Sequence, residues 1–299
     1  MKIRIGYGLG TAGNSDLAGL VDGLERHGFD SLWLSERVTG PAVDPLVGLS
    51  FAAGRTTKLK LGTSVLVLPG RNPVVLAKEL ASLDVLSGGR LLPAFGLGAP
   101  NAVEHQAFGV RREDRASIFD EMMTVMRRLW REDDVTHHGE HFQFDDVSLR
   151  VKPIGTMDVW LGGQAPSELR RVGRLSDGWL PSFCTPADAE AGRAVVEEAA
   201  ERAGRVIDPE HFGVLVSYSH REVPPRLVEL IRTRRPDIDP REIVPIGYDA
   251  VVRTLERFID AGFSKFVLSP ADPVENWDDE LGATAERVLH LQRTTTAAA

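Results

Sequence analysis

The sequence predicts one α/β domain closed as an eight-stranded (β/α)8 TIM barrel over residues 1–293, and three observations carry that prediction. An amphipathic helix, a glycine stop and a short apolar strand form a phrase that recurs. Gly28-Phe29-Asp30-Ser31-Leu32-Trp33-Leu34-Ser35 returns near the far end as Gly262-Phe263-Ser264-Lys265-Phe266-Val267-Leu268-Ser269. Eight apolar segments of strand character are separated by helical patterns, and parallel strands need such crossovers. A chain of 299 residues suits one α/β barrel, and eight strands exceed the six of an open dinucleotide-type sheet.

The strands are expected near 2–7, 31–35, 60–66, 91–96, 158–162, 178–181, 212–217 and 264–269. Helices are expected near 16–27, 44–54, 73–86, 116–131, 166–176, 187–203, 225–234, 249–260 and 277–292. Leu17, Leu20, Val21 and Leu24 recur at helical spacing before Gly28, as Val251, Val252, Leu255, Phe258 and Ile259 do before Gly262. Ile118, Phe119, Met122, Met123, Met126, Leu129 and Trp130 form one apolar stripe, which reads as core packing. After that long helix, Asp133–Phe144 reads as a hairpin or extended excursion. A second long interval, about 218–248, holds Pro224, Pro225, Pro236 and Pro240 and predicts an irregular insertion. Insertions at strand ends commonly act as lids or specificity elements. The low-complexity tail, 294–299, is expected to fray.

Composition excludes several classes. Apolar residues make up 42% and charged residues 26%, an ordinary soluble balance, and the net charge of −8 argues against a nucleic-acid or anionic-membrane surface. No apolar run approaches ~20 residues, so no membrane span is expected. No signal peptide is expected, because Met1–Ile5 runs straight into glycines. The single Cys184 excludes an internal disulfide and points to a reducing cytoplasm. It reads as buried filler rather than as a nucleophile.

Gly8-Leu9-Gly10-Thr11-Ala12-Gly13 spells G-x-G-x-x-G after a strand, with Glu36 at the end of the next. In a dinucleotide fold the helix must begin inside that motif, whereas here the capping cluster Asn14-Ser15-Asp16 follows the glycines. A loop at the mouth of the first strand is the better reading. Phe95-Gly96-Leu97-Gly98-Ala99 and Trp160-Leu161-Gly162-Gly163-Gln164-Ala165-Pro166 each end a strand in glycines, and the second enters a helix through Pro166. Bare amides at such an entry suit a phosphate. His137, His138 and His141 have metal-like spacing, but Gly139 and the polar context favour a solvated turn, and no metal is predicted. Arg170, Arg171 and Arg174 read as a solvated face in preference to partners for an anionic tail.

Taken in order, these segments resemble the luciferase-like monooxygenase superfamily, in particular its oxidoreductases that use the deazaflavin coenzyme F420. The likeness is carried by Gly28–Glu36, Leu59–Leu66, Asn72-Pro73 with Ala77-Lys78, and Leu83-Asp84 with Ser87-Gly88-Gly89-Arg90. It continues through Ala107–Val110, Leu129-Trp130, Trp160–Gly163 and Ser176–Trp179. The resemblance implies a bacterial-luciferase-like barrel with insertions at its C-terminal face, forming a homodimer. It implies a non-prolyl cis peptide at Ser64–Val65 backing the cofactor ring, and a phosphate held by amides at Gly98-Ala99 and Gly162-Gly163-Gln164-Ala165. The family tends to place an acid followed by histidine after the second strand; here the pair is Glu36-Arg37. Arg37 cannot shuttle a proton near neutral pH, but it can clamp an anion or stabilise developing negative charge. Glu36 is the candidate acid/base, unless an ion pair consumes it. The glutamate of the glucose-6-phosphate dehydrogenase members is replaced by Ala99, which argues against that sugar-phosphate chemistry.

The expected function is hydride transfer between coenzyme F420 and a small organic substrate, with Glu36 and Arg37 lining the substrate side. The alternatives are a two-component monooxygenase using FMN, a flavin- or deazaflavin-binding barrel without turnover, and an NAD-dependent Rossmann enzyme.

Overall fold

The computed structural model describes residues 1–10, 16–99 and 101–293. Strands β1 (Arg4–Leu9), β2 (Ser31–Leu34) and β3 (Lys60–Thr63) alternate with helices α1 (Leu17–His27) and α2 (Pro45–Arg55). Ser64-Val65 separates β3 from β4 (Leu66–Val67), which leads into α3 (Pro73–Ser87). The fourth barrel strand is likewise divided into β5 (Leu91–Leu92) and β6 (Ala94–Gly96). Pro93 lies between them, and a proline has no amide to give to the ladder.

After α4 (Ala102–Phe108) and α5 (Arg115–Arg131) comes an antiparallel hairpin, β7 (Val135–His138) with β8 (Gln143–Val147). The remaining units are β9 (Trp160–Leu161), α6 (Pro166–Leu175), β10 (Gly178–Trp179), α7 (Pro186–Arg202) and β11 (Gly213–Tyr218). They continue as α8 (Pro225–Arg234), α9 (Pro240–Ile243), α10 (Tyr248–Asp260), β12 (Lys265–Pro270) and α11 (Trp277–Val288).

The sheet pairings close a ring. One run is β11-β12-β1-β2-β3-β5 and the other β10-β9-β6-β4, all parallel. The divided third and fourth strands belong to both runs. Parallel bridges Trp179–Phe212 and Ser182–Leu215 join β10 to β11. The result is the (β/α)8 barrel expected from the sequence, with strands at the eight predicted places.

Both copies of the repeated phrase fold alike. Gly28 and Gly262 each follow a helix at φ +80° and +84°, a conformation that side chains with a Cβ resist. The strands they introduce, β2 and β12, lie on either side of β1. Side-chain caps set the helix starts: Asp16, Asp44, Asn72, Thr185 and Asn276 each accept an amide from the first turn.

Two indoles plug the barrel, and glycines make room for them. Trp33 and Trp160 are buried with Ala94, Leu180 and Val267 in a cluster separate from the main core. A Cβ on Gly62 would sit 2.3 Å from the Trp33 ring, and one on Gly178 would sit 2.5 Å from that of Trp160. Beneath this plug, fully buried Lys265 donates to Asp30 at 2.8 Å and lies 5.5 Å from the centre of the Trp33 ring.

Two features depart from expectation. The interval 218–248 is more regular than its proline density suggests, because Pro225 and Pro240 occupy first turns of helices, where a missing amide costs nothing. Helix α4 was not expected, although Asn101 caps its start and Gly109, at φ +66°, ends it. Thr11–Ser15, most of the glycine motif and its capping cluster, and the tail 294–299 lie outside the described residues.

Candidate active site

The carboxyl ends of the strands bring the predicted residues to one mouth. The third strand is interrupted by a cis Ser64–Val65 peptide, as the resemblance implies. Around that bond the chain is braced from the second strand. The Ser64 amide donates to the Leu34 carbonyl at 2.9 Å, and the Ser35 hydroxyl donates to the Ser64 carbonyl at 2.8 Å. The Val65 side chain packs on the apolar plug. A Cβ on Gly96 would come 2.6 Å from its Cγ2, and one on Gly162 would come 3.2 Å from its Cγ1. These two glycines therefore admit Val65 to the centre of the mouth.

Glu36 belongs to the same brace. Its amide donates to the Val65 carbonyl at 3.3 Å, and its Oε2 accepts the Val67 amide at 2.7 Å. Its Oε1 takes a hydrogen bond from the Arg71 guanidinium, which also donates through Nε to the Val67 carbonyl at 3.0 Å. Only 3% of the Glu36 side chain is exposed. Burial pushes its carboxyl above the ordinary range, against the opposing pull of Arg71 and the Val67 amide. The ion pair weighed for Glu36 exists, with Arg71 and not with its neighbour Arg37. Arg37 is exposed and makes no ion pair among the described residues.

The second glycine-ended strand builds a cradle that is already filled. Glu168 Oε2 accepts the amides of both Gln164 and Ala165 at 3.0 Å, so the third residue of α6 reaches back to cap its start, while Ala165 has no side-chain acceptor to return the bond. Gly163 precedes them at φ +100°. Arg115, which makes no ion pair among the described residues, donates to the carbonyls of Leu97 and Gly98, each at 3.2 Å. Gly98 lies against Val67, with φ +84°. The Ala99 carbonyl accepts from the Asn101 amide at 2.8 Å and faces His105 Nε2 at 3.1 Å. Sequence reasoning missed Ser35, Arg71, Arg115 and Glu168. Glu168, at the third helical position after Pro166, was the one readable signal.

Other candidates resolve elsewhere. His137 pairs with Glu121 at 2.9 Å, His138 with Asp145 at 2.8 Å and His141 with Ser117 at 2.8 Å, so the three rings have three separate partners on or beside the hairpin. Arg171 and Arg174 both reach Asp120 on α5. Cys184 is buried, and its surroundings push the thiol up to about 12.

Comparisons with known proteins fit this geometry. Over 220 residues the chain is 29% identical to an F420-dependent glucose-6-phosphate dehydrogenase of Kineococcus radiotolerans, an alignment covering 70% of this chain. The chain spans 65% of that relative's length. An F420-dependent secondary alcohol dehydrogenase, solved with an F420-acetone adduct, superposes with a TM-score of 0.81 at 22% identity, covering 98% of this chain and 100% of that one. The oxygenating constituent of 3,6-diketocamphane monooxygenase from Pseudomonas putida, solved with FMN, gives 0.79 at 17% identity over 98% of this chain and 99% of its own. The family model of the luciferase-like monooxygenases matches residues 2–235, and the chain belongs to that family.

Proposed function

We propose that this chain is a coenzyme F420-dependent oxidoreductase that moves a hydride between the deazaflavin and a small organic substrate. One observation carries the reading: a backbone wall at Ser64–Val65, braced by Ser35 and Glu36, shares the mouth with an anion-shaped cradle at Gln164-Ala165. The resemblance to F420-dependent relatives supports the choice of cofactor.

The residues present fit such a group. The Glu168 carboxylate stands where a phosphate oxygen would be received, showing that the two amides converge on a single anionic oxygen. Rotation of Glu168 would free both donors, and Arg115, whose charge the Glu168 carboxylate feels, lies near. Ser64-Val65 would back the ring, Gly98, Ala99 and Gly162 would leave it room, and Gly163, Gln164 and Ala165 would hold the phosphate. Bound there, the deazaflavin supplies the hydride chemistry. The chain's own part is to orient and to set the charge. Glu36, tied to Arg71 and Val67, is a positioning residue of the wall, and Arg37 faces the substrate side.

Among the described residues no helix is long and apolar enough to cross a membrane. A cytoplasmic protein acting on a small molecule remains our reading, as does one domain over residues 1–293. We read it as a homodimer too, because Val47 and Phe51 of α2 and Val75 and Leu86 of α3 are left exposed.

The test is a binding titration with deazaflavin, FMN and NAD side by side. Tightest binding of the deazaflavin, with reduction of an added ketone, imine or enone, supports the proposal. Tighter FMN binding with oxygen consumption would replace it by a flavin monooxygenase, and binding without turnover would replace it by a carrier barrel.

A further inference from the structure

The seventh and eighth barrel strands bring a pair of hydroxyls to the same mouth. Ser217 is the penultimate residue of β11 and Ser269 the penultimate residue of β12. The two strands are parallel and bonded to each other, and Ser217 is the register partner of Ser269. Register partners on neighbouring strands point to the same face, with their backbones about 5 Å apart. That face is the inside of the barrel. Two residues below the pair, Leu215 and Val267 pack on the indole plug, and below Val267 the Lys265 ammonium lies against the Trp33 ring. The side chains that alternate with these, Val216, Tyr218 and Leu268, go to the main core on the other face.

Neither hydroxyl is used by the fold. Ser269 is only 8% exposed, yet among the described residues no hydrogen bond is made by its side chain or by that of Ser217. The other buried serine and threonine hydroxyls among the described residues all have partners. Ser31 takes the Trp33 indole N–H at 2.8 Å, Thr63 donates to the Ala94 carbonyl at 2.6 Å and Ser264 donates to the Glu210 carbonyl at 2.6 Å. Thr56, Ser87, Ser176, Ser219 and Thr284 each donate to a nearby carbonyl. Leaving a hydroxyl unpaired at nine-tenths burial costs free energy that nothing in the fold offsets. Since its oxygen is neither bonded nor fully enclosed, it is turned to the open mouth.

There is room in front of the pair. On its other side β12 adjoins β1, where Tyr7 pairs with Leu268. Gly8 follows Tyr7 and brings no side chain: a Cβ there would come 2.8 Å from Val267 Cγ1. A Cβ on Gly10 would meet nothing within 4 Å among the described residues. Glycines therefore keep the space beside Ser269 open. In a ring of eight strands the seventh stands opposite the third, so the pair faces Val65 across the plug that Val65 and Leu215 share. The one charged side chain of β11 and β12, Lys265, lies at the far end of its strand and is paired with Asp30 at 2.8 Å.

We propose that Ser217 and Ser269 form the seat for the substrate's oxygen, and that the seated group is uncharged: a carbonyl in the oxidised form of the substrate and a hydroxyl in the reduced form. The inference rests on the reading of this mouth as the redox site, and it names the substrate class. A carbonyl oxygen accepts two hydrogen bonds, whereas an alcohol donates one and accepts one; two rotatable hydroxyls satisfy either. The seat therefore suits the substrate on both sides of a hydride transfer. A carboxylate or phosphate would find two neutral donors and no counter-charge on these strands, and its lost hydration would not be replaced.

The experiment titrates acetophenone, 1-phenylethanol, benzoate and the oxygen-free analogue cumene into the full-length protein, with and without deazaflavin, by ligand-observed NMR. The variants are Ser217→Ala, Ser269→Ala and Ser217→Thr, with Ser82→Ala as a control whose hydroxyl reaches only the Lys78 carbonyl on α3. The ketone and the alcohol are expected to bind about tenfold more tightly than cumene, and benzoate more weakly than the ketone. Each Ala substitution lowers affinity for the ketone and the alcohol by about three- to tenfold and leaves cumene unchanged. Ser217→Thr keeps a hydroxyl and most of the affinity, and Ser82→Ala alters none. Thermal melts separate the seat from a structural role: both mouth Ala variants melt at or above the wild-type Tm, because no internal bond is lost.

Acetophenone and 1-phenylethanol binding no better than cumene would overturn the seat, as would Ala variants that keep the preference for oxygen. Benzoate binding more tightly than acetophenone would overturn the uncharged class. Uptake of deazaflavin is independent of these outcomes, so the cofactor reading survives them. A protein that takes up no deazaflavin but still prefers acetophenone to cumene through both serines would sink the cofactor reading and leave the seat standing.

Discussion

Glu36 holds the Val67 amide at 2.7 Å, so a side chain at the end of the second strand fixes the backbone just beyond the Val65 wall. The contact ties the residue expected to move protons to the segment expected to back a cofactor. A carboxylate that serves as a bracket is held by its partners, here the Val67 amide and Arg71, although burial outweighs their pull and pushes its carboxyl above the ordinary range.

Replacement of Glu36 therefore tests support against proton transfer. In Glu36→Ala the Arg71 cation and the Val67 amide lose their acceptor, a change that costs about 2–4 kcal/mol in urea unfolding. Deazaflavin affinity falls by about tenfold or more with it. Glu36→Gln still accepts from Val67 and loses only the ionic half, so its cost is about 1–2 kcal/mol and it retains measurable cofactor binding. Unchanged stability and affinity in Glu36→Gln, accompanied by loss of turnover, would return Glu36 to the acid/base role.

Glu168 leads to a prediction of opposite sign for stability and binding. Glu168→Ala removes the cap from Gln164 and Ala165 and lowers stability by about 1 kcal/mol. It also vacates both amides and removes a like charge from an incoming anion, so inorganic phosphate and deazaflavin bind several-fold more tightly. Glu168→Gln keeps an oxygen for the cap without its charge and gains affinity with less loss of stability. Phosphate binding that weakens in both variants would show Glu168 to be a partner of the ligand rather than its stand-in.

The floor of the barrel sets the response to acid. Burial opposes the charge on Asp30, but Lys265 and Lys60 prevail and hold its carboxyl at about 2. Burial drags Lys265 down to about 8 despite Asp30. For Asp30 the folded state binds its proton less readily than the unfolded chain, so the stabilisation is complete above about pH 4. It is lost as pH falls through about 2, amounting to about 2 kcal/mol. For Lys265 the sign is reversed: its proton is bound more weakly when folded, and the penalty is relieved as pH rises from about 8 toward 10.5. Asp30→Asn should flatten the acid limb of a Tm-versus-pH profile. An unaltered limb would place the acid sensitivity in other carboxylates.

Much of this architecture was legible because it is written in short-range chemistry. Gly28 and Gly262 announce helix ends that only glycine takes comfortably, and the apolar runs after them become β2 and β12. Gly98 and Gly163 mark the mouth for the same local reason, and Gly96 and Gly162 by the room they leave for Val65. What was hidden depends on chain crossings. Arg71 reaches Glu36 from the far side of the third strand, and periodicity does not record which cation arrives. The prolines of 218–248 were misleading because the same residue breaks a helix interior and opens a first turn; Pro225 and Pro240 do the latter.

Two glycine substitutions separate the plug from the site. Neither Gly62 nor Gly96 has a positive φ, so each substitution acts through what the new methyl meets. In Gly62→Ala it meets the fully buried Trp33 ring at 2.3 Å, and the cost is about 1–3 kcal/mol in unfolding free energy. In Gly96→Ala it meets the Val65 Cγ2 at 2.6 Å, and Val65 is only partly buried, so that side chain is the one that gives way. The smaller stability loss is then accompanied by displacement of Val65 into the space a ring would occupy. Chemical denaturation paired with deazaflavin titration should find stability the more affected in Gly62→Ala and affinity the more affected in Gly96→Ala. Equal affinity in wild type and Gly96→Ala would mean that Val65 does not form the wall on which the cofactor lies.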